Sequence, residues 1–173
     1  NVVTKSISPE LTQIVEDCIA TQNARELISR LNSQACDTET KSALYEKIRV
    51  DSPSFYTSLI NEGLNQDDSF THHKRGLNLI AESSQSTDRV ERIAKLREAE
   101  KEFKKSIQSG QSYSYLPLSL VYYTMPNKEV SAFNAASEGA KRGDKKCGCL
   151  RGFFIAHGIG TKRCFDKGVL IIL

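Results

Sequence analysis

The sequence contains no tryptophan, one methionine and four prolines in 173 residues, and only 8% of its residues are aromatic. Because proline interrupts helices, its scarcity leaves long stretches free to be helical. Charge of one sign is also lacking, since 24 Lys and Arg against 21 Asp and Glu give a net charge of +3. So small an excess is far from the dense basic stripe of a dedicated nucleic-acid-binding protein, so nucleic-acid binding is not predicted. The longest apolar run, 169–173, is much shorter than the roughly 20 residues that a membrane helix needs, so no membrane span is predicted.

Cysteine is too sparse for a disulfide scaffold. The five cysteines are odd in number and unevenly spaced, unlike the framework of a small secreted domain. We expect most of them to be reduced and buried, as free cysteines usually are. A disulfide between Cys149 and Cys164, or between Cys18 and Cys36, is the alternative.

Apolar residues recur at three- and four-residue spacing along almost the whole chain, which predicts an all-α fold. Ser8 and Pro9 are typical of a helix start, and we predict a helix over 9–20. Asn23 can cap a second helix, a third contains Leu44 and Ile48, and Ser52 with Pro53 begins a fourth. These helices form hairpins over 1–66, and no segment alternates long enough to predict a strand.

The second half repeats itself. Residues 99–110 align without a gap with residues 132–143, at a spacing of 33 residues, and both segments end in glycine. Each is followed by a further helical stretch, 113–123 and then 145–156, in which Ser119 aligns with Gly152. A helix pair repeating at this period indicates a solenoid rather than a bundle.

The motifs Gly143-Asp144, Cys147, Gly152, Gly158-Ile-Gly160 and Phe165-Asp-Lys-Gly168 resemble the SEL-one-like repeat, a short-helix relative of the tetratricopeptide repeat. The resemblance covers about 97–173. It implies an α-α superhelix of short antiparallel helix pairs over 67–173, with an incomplete last repeat. Gly152 is then small because two helices cross there, and Gly158 and Gly160 supply the positive φ of a tight turn.

The repeats are degenerate. Arg151, Ile155, Thr161 and Gly168 depart from the usual residues of the family, and residues 124–127 replace the Gly-x-Gly loop of the preceding unit. A third unit is predicted further upstream, with Gly76 and Ile80 in the family's glycine and aromatic places. Its loop, 83–88, is longer than usual and is the one that we expect to be disordered.

The resemblance also implies a function, that of a protein-interaction scaffold or adaptor without a cofactor or a catalytic reaction. The first helix of each pair would line a concave face and expose five residues to a protein or peptide partner. These candidates are Tyr113, Pro117, Leu120, Phe153 and His157.

A local basic cluster suggests a partner that is acidic. It consists of Lys141, Arg142, Lys145 and Lys146. The alternative function is a helical inhibitor, immunity or effector protein that docks on an acidic enzyme. An enzyme with a Cys or His site is a third reading, although no motif of nucleophilic or metal catalysis occurs.

Cys147, Cys149, His157 and Cys164 together suggest a zinc site, but residues two apart on a helix point to nearly opposite sides. We therefore predict no metal site. We interpret His72 and His73 as surface histidines, and Gly158 and Gly160 as turn residues.

The two ends of the sequence carry a further expectation. Asn1 in place of Met suggests that an initiator Met or a longer segment is missing, so the compartment stays undefined. The apolar run 169–173 lies near the start of the second helix of the last repeat, where the sequence stops. A solenoid end normally has a polar cap, so we expect either a longer chain or coverage of this edge by another chain, including a second copy.

Overall fold

The structure is a computed structural model that describes residues 7–34 and 36–172, so Asn1 and Leu173, on which two expectations rest, lie outside it. Within these residues it has ten α-helices, one short 3₁₀ helix and no strand. The all-α fold class is confirmed. The chain forms two compact units, Asn1–Asp68 and Ser69–Leu173, and each is described by itself.

The first unit has four helices: α1 (Pro9–Ala20), α2 (Ala24–Ser33), α3 (Thr38–Asp51) and α4 (Pro53–Asn65). The predicted helix starts are present, because the Ser8 hydroxyl accepts a hydrogen bond from the Leu11 amide at 3.2 Å and the Asn23 side chain accepts one from the Glu26 amide at 3.0 Å. Helix α2 packs against α1 and α4, and α3 packs against α4. The core of the unit includes Leu27, Leu31, Leu44, Ile48, Phe55 and Leu59, which are all fully buried.

The second unit consists of three successive helix pairs. They are α5 (Ser69–Gln85) with α6 (Arg89–Gln108), α7 (Tyr115–Thr124) with α8 (Glu129–Lys141), and α9 (Lys145–His157) with α10 (Phe165–Ile172). Helix α6 packs on α7, α8 packs on α9, and the first helices α7 and α9 also touch. The 3₁₀ helix Ser112–Ser114 precedes α7, where the sequence predicted one continuous helix.

A small residue lies at each helix crossing. In the third pair, a Cβ on Gly152 would approach the Gly168 carbonyl oxygen to 2.8 Å. In the first pair, a Cβ on Gly76 would approach the Phe103 ring to 2.6 Å. In the second pair, the Ser119 hydroxyl donates a 2.7 Å hydrogen bond to the Ala132 carbonyl oxygen. Gly76, Ser119 and Gly152 therefore occupy corresponding positions, and each allows the two helices of its pair to approach closely. The position of Gly76 agrees with the upstream unit that the sequence predicts.

Left-handed backbone conformations recur with the 33-residue period. Gly110 and Gly143 end α6 and α8 with φ of 91° and 86°. Gly160 has φ of 66°, and its counterpart 33 residues earlier, Asn127, has φ of 58°. Asn127 therefore adopts the left-handed conformation that Gly160 adopts in the next turn. Asparagine tolerates the left-handed region better than most other residues with a side chain.

The expected long loop 83–88 is shorter than predicted. Helix α5 continues to Gln85, and Asp88 already caps α6 by accepting a hydrogen bond from the Val90 amide at 2.9 Å. Ser83 is buried, and its hydroxyl donates to the Ile80 carbonyl oxygen at 2.7 Å. That hydrogen bond lets a polar residue lie inside the helix pair, which is why composition alone misplaced the helix end.

Candidate interaction surface

The exposed faces of α7 and α9 present a row of aromatic side chains. Tyr123 on α7 is 45% exposed and Phe153 on α9 is 37% exposed. The fully buried Phe154 joins them, with ring centroids 5.6 Å from Tyr123 and 6.0 Å from Phe153. The His157 ring lies 4.2 Å from the Phe153 ring at an interplanar angle of 34°. We call Leu120, Tyr123, Phe153 and His157 the aromatic row.

His157 is held in one orientation by its own helix. Its Nδ1 lies 2.9 Å from the Phe153 carbonyl oxygen, and a carbonyl only accepts, so Nδ1 donates. In the neutral ring, Nε2 is then an acceptor. The row thus offers apolar ring faces together with a polar nitrogen on an exposed side chain.

The five residues expected on a partner-facing surface differ in exposure. Leu120, Phe153 and His157 are exposed, whereas Tyr113 and Pro117 are half-buried and so less exposed than expected. Partner contact by these residues stays a prediction. The Tyr113 ring packs edge-on against the His73 ring, with centroids 4.7 Å apart. Its position in the 3₁₀ helix before α7 turns it toward α5 rather than outward.

Tyr123 is the member of the row that the sequence analysis missed. It lies three residues after Leu120, so both side chains share one face of α7. The three-residue spacing of Leu120 and Tyr123 is the feature of the sequence that could have identified Tyr123. The neighbouring Tyr122 is buried instead, and its hydroxyl donates a hydrogen bond to Glu100 at 3.1 Å.

The basic cluster is exposed but partly neutralised. Glu138 accepts hydrogen bonds from Lys141 at 2.7 Å and from Arg142 at 2.8 Å. The Arg142 guanidinium also lies over the Tyr115 ring, 4.7 Å from its centroid. Among the described residues, Lys145 and Lys146 have no ion pair. The free charge of the cluster is therefore concentrated at the start of α9.

The interpretation of His72 and His73 as surface histidines is wrong, because both are buried in the second unit. His72 Nδ1 lies 2.6 Å from Glu102 Oε2 on α6. His73 Nδ1 lies 2.8 Å from the Ser114 hydroxyl, which donates its proton to the Ser106 hydroxyl at 2.9 Å. Nδ1 of His73 is therefore the donor to Ser114.

The surroundings of His73 oppose its protonation. Its ring packs among the rings of Phe70, Phe103 and Tyr113. Burial, with a smaller contribution from Lys74, lowers the pKa of His73 to about 4. The ring is neutral at pH 7, and its hydrogen bond to Ser114 satisfies a buried polar group in the core.

Cysteines and acidic residues form no metal site in the part of the chain that the structure describes. Cys147 is buried and Cys149 exposed, so the two thiols point to opposite sides of α9. None of the five cysteines forms a disulfide, so neither of the two alternative pairings is present. Only Cys18 and Cys147 are buried, so the expectation that most of the cysteines are buried is wrong. Burial, with Asp144 adding to the effect, raises the pKa of the Cys147 thiol to about 12. Across residues 7–34 and 36–172, the helices also lack the length and apolar character needed to cross a bilayer.

Comparison with known proteins defines the fold. No protein-family model matches the chain, and no curated protein matches it. Among solved structures, the chain is similar to a Sel1 repeat protein from Oxalobacter formigenes, with a TM-score of 0.56 and 14% identity over 95% of this chain and 73% of that chain. A second similar structure is c5321, a protective antigen present in uropathogenic Escherichia coli strains and displaying an SLR fold. It has a TM-score of 0.40 and 14% identity over 90% of this chain and 40% of that chain.

The protein therefore has a helical-repeat fold of the SEL-one-like kind. The small residues at the helix crossings and the left-handed turn positions described above are the features of this chain that produce it.

Proposed function

We propose that this protein is an interaction scaffold that binds a segment of a partner protein on the aromatic row of α7 and α9. The observation that supports this most directly is the exposure of Tyr123 and Phe153, whose rings both pack against the ring of the buried Phe154. Exposed aromatic side chains with a buried support are typical anchors of protein interfaces. The likeness in fold to a Sel1 repeat protein is consistent with a binding role.

The chemistry of the row favours a partner segment with apolar side chains and a hydrogen-bond donor. Ring faces of Tyr123 and Phe153 offer apolar contact area at small cost in side-chain entropy, because each has only two side-chain torsions. His157 offers Nε2 as an acceptor when its ring is neutral. No catalytic step is assigned to the chain.

We further propose that the partner segment carries acidic residues. Lys145 and Lys146 are exposed and begin α9, the helix that carries Phe153 and His157. Charges at the edge of an interface act mainly on the association rate. The competing hypothesis, docking on an acidic enzyme through the basic cluster alone, makes the aromatic row irrelevant to binding.

The test uses peptides selected on the intact protein from a displayed peptide library and then synthesised. We expect Tyr123→Ala and Phe153→Ala each to weaken peptide binding by about tenfold or more, mainly through faster dissociation. The matched control is Phe165→Ala, since Phe165 is also an exposed phenylalanine, at 60%, but lies at the start of α10. Circular dichroism of each variant verifies the fold.

Two results decide between the hypotheses. Unchanged binding by Tyr123→Ala and Phe153→Ala, or an equal loss with Phe165→Ala, contradicts the aromatic row. Charge reversal at Lys145 and Lys146 is expected to slow association and reduce its dependence on salt while leaving dissociation nearly unchanged. A loss of binding confined to the charge-reversal variant favours docking through the basic cluster.

A further inference from the structure

A second site lies apart from the aromatic row, between α6 and the turn that joins α7 to α8. The cavity has a volume of about 420 Å³, within the size range of small-ligand pockets. One wall is a stripe of α6 that includes Arg97, Lys101 and Lys104, and the other is the turn Met125 to Lys128. We call it the basic pocket. Its two walls are 21 or more residues apart in sequence, so no local motif marks it.

The pocket concentrates positive charge. Arg97, Lys101, Lys104 and Lys128 line it together with one carboxylate, that of Glu100, which leaves its lining with a net charge of +3. This local excess equals the net charge of the entire chain. The excess lies in a concave site, where surrounding protein strengthens the field more than at an open surface.

Glu100 is already engaged by other groups. It accepts hydrogen bonds from the Lys104 ammonium at 2.5 Å and from the Tyr122 hydroxyl at 3.1 Å. Burial acts to raise the pKa of Glu100, but the two hydrogen bonds together with the charges of Lys104 and Lys128 lower it overall, so the carboxylate is ionised at neutral pH. The charge of Lys104 is thereby compensated within the protein.

The other cations have no carboxylate partner of this kind. Arg97 and Lys101 are exposed and form no ion pair with any described residue. Lys128 lies over the Tyr122 ring, with its ammonium 5.6 Å from the centroid. Arg97, Lys101 and Lys104 are spaced by four and then three residues, so these cations are neighbours on one face of α6.

The apolar part of the lining also bears on the ligand. Between the charged groups, Ile93, Met125 and Pro126 supply apolar surface. A ligand with both an anionic group and an apolar body fits this lining better than a bare ion.

We propose that the basic pocket binds a phosphate monoester attached to an apolar body. A phosphate monoester carries a charge of about −1.5 to −2 at pH 7 and has three strong acceptor oxygens, which suit a lining with several unpaired cations. Arg97 lines the pocket, and a guanidinium can pair with two phosphate oxygens at once. A carboxylate or sulfonate supplies only one charge and leaves more of the lining uncompensated.

The probe is phenyl phosphate, titrated into the intact protein by calorimetry and by two-dimensional NMR at pH 7.5. Benzenesulfonate serves as the monoanionic analogue with the same ring. We expect phenyl phosphate to bind about tenfold more tightly than benzenesulfonate, and to weaken at pH 5, where its second proton is bound. Shifts are expected at amides of α6 and of the turn 125–128. A capped phosphoserine tripeptide, compared with phenyl phosphate, shows whether a polypeptide or a small molecule presents the phosphate group better.

The variant Arg97→Ala with Lys101→Ala is expected to lose about tenfold or more of the affinity for phenyl phosphate. The matched control is Lys162→Ala with Lys167→Ala, which removes two exposed lysines of the same unit outside the pocket. Phenyl phosphate is also expected to raise the melting temperature of the wild type but not of the Arg97/Lys101 variant. Absence of saturable binding, equal affinity for benzenesulfonate, or an equal loss in both double variants overturns the proposal.

Discussion

The carbonyl oxygen of Gly168 lies 2.8 Å from the point at which a side chain on Gly152 would begin. No real side chain tolerates that approach without movement of one helix, so α9 and α10 pack as closely as they do because both residues are glycines. Gly168 is under the same constraint, since its own Cβ would lie 2.6 Å from the amide nitrogen of Ala156. The close crossing of α9 and α10 therefore depends on glycine at both positions.

Gly152→Ala is expected to destabilise the protein by about 1–3 kcal/mol, because the added methyl group overpacks the crossing against backbone. Gly148→Ala in the same helix is the control. A Cβ on Gly148 meets no atom within 4 Å, and alanine favours helix more than glycine does. We expect that variant to be more stable by about 0.5–1 kcal/mol. Urea unfolding followed by circular dichroism measures both, and equal midpoints for the two variants contradict the crossing.

His73 gives the protein a pH-dependent stability. Its pKa is about 4 in the folded state and near 6.5 when unfolded, so the unfolded chain binds more protons between these values. Stability contributed by the neutral ring is full above about pH 6.5 and is lost as the pH falls toward 4. Between pH 7.5 and 5, the free energy of unfolding is expected to fall by about 2 kcal/mol from this group.

His73→Phe tests that assignment. A phenylalanine keeps the contacts with the Phe70, Phe103 and Tyr113 rings and cannot be protonated, so the decline above pH 5 is expected to flatten. His157→Gln is the control, since His157 is exposed on α9. A wild-type slope that survives in His73→Phe means that another group titrates.

The cysteines are expected to react at very different rates. Cys149 and Cys164 are exposed, whereas Cys18 and Cys147 are buried, with pKa values raised by burial, that of Cys147 to about 12. The thiolate is the reactive form, so alkylation at pH 8 is expected to modify Cys149 and Cys164 first and Cys147 only after denaturation. Peptide mass spectrometry after timed iodoacetamide treatment measures this. Early modification of Cys147 means that α9 does not pack as described.

Asn127→Ala is expected to cost about 1 kcal/mol, because alanine is disfavoured at a φ of 58°. Asn127→Gly, which resembles the Gly160 position of the next turn, is expected to keep or raise stability. Asn134→Ala is a control for loss of an exposed asparagine, since Asn134 lies within α8. If Asn127→Ala unfolds at the same midpoint as Asn127→Gly, the left-handed turn is not what stabilises this loop.

Local signals predicted the framework of the molecule well. Ser8 and Asn23 both cap helices as expected, because a cap is an interaction with amides two or three residues away. The 33-residue spacing of Gly110 and Gly143 predicted equivalent helix ends for a similar reason, since a glycine after a helix has its own conformational signature.

The distant partners of polar residues were not predictable in this way. His72 and His73 lie near Asp67 and Asp68 in a polar stretch and look like surface residues, but their partners Glu102 and Ser114 lie 30 and 41 residues further along the chain. The basic pocket has the same origin, since Lys101 and Lys128 approach one another only through the packing of α6 and α7. The turns at Gly110 and Gly143 were therefore predictable from the sequence, whereas contacts that only tertiary packing creates were not.

The equivalent left-handed glycines after α6 and α8 bear on how the number of helix pairs can change in evolution. Gly110 and Gly143 share one backbone conformation, and each stands between the end of one helix pair and the start of the next. Recombination between the gene segments that encode these two points would delete or duplicate one whole pair while leaving each junction with the conformation that it already has. Unequal crossing-over at glycine codons is thus a route by which the number of helix pairs can evolve without redesign of the turns.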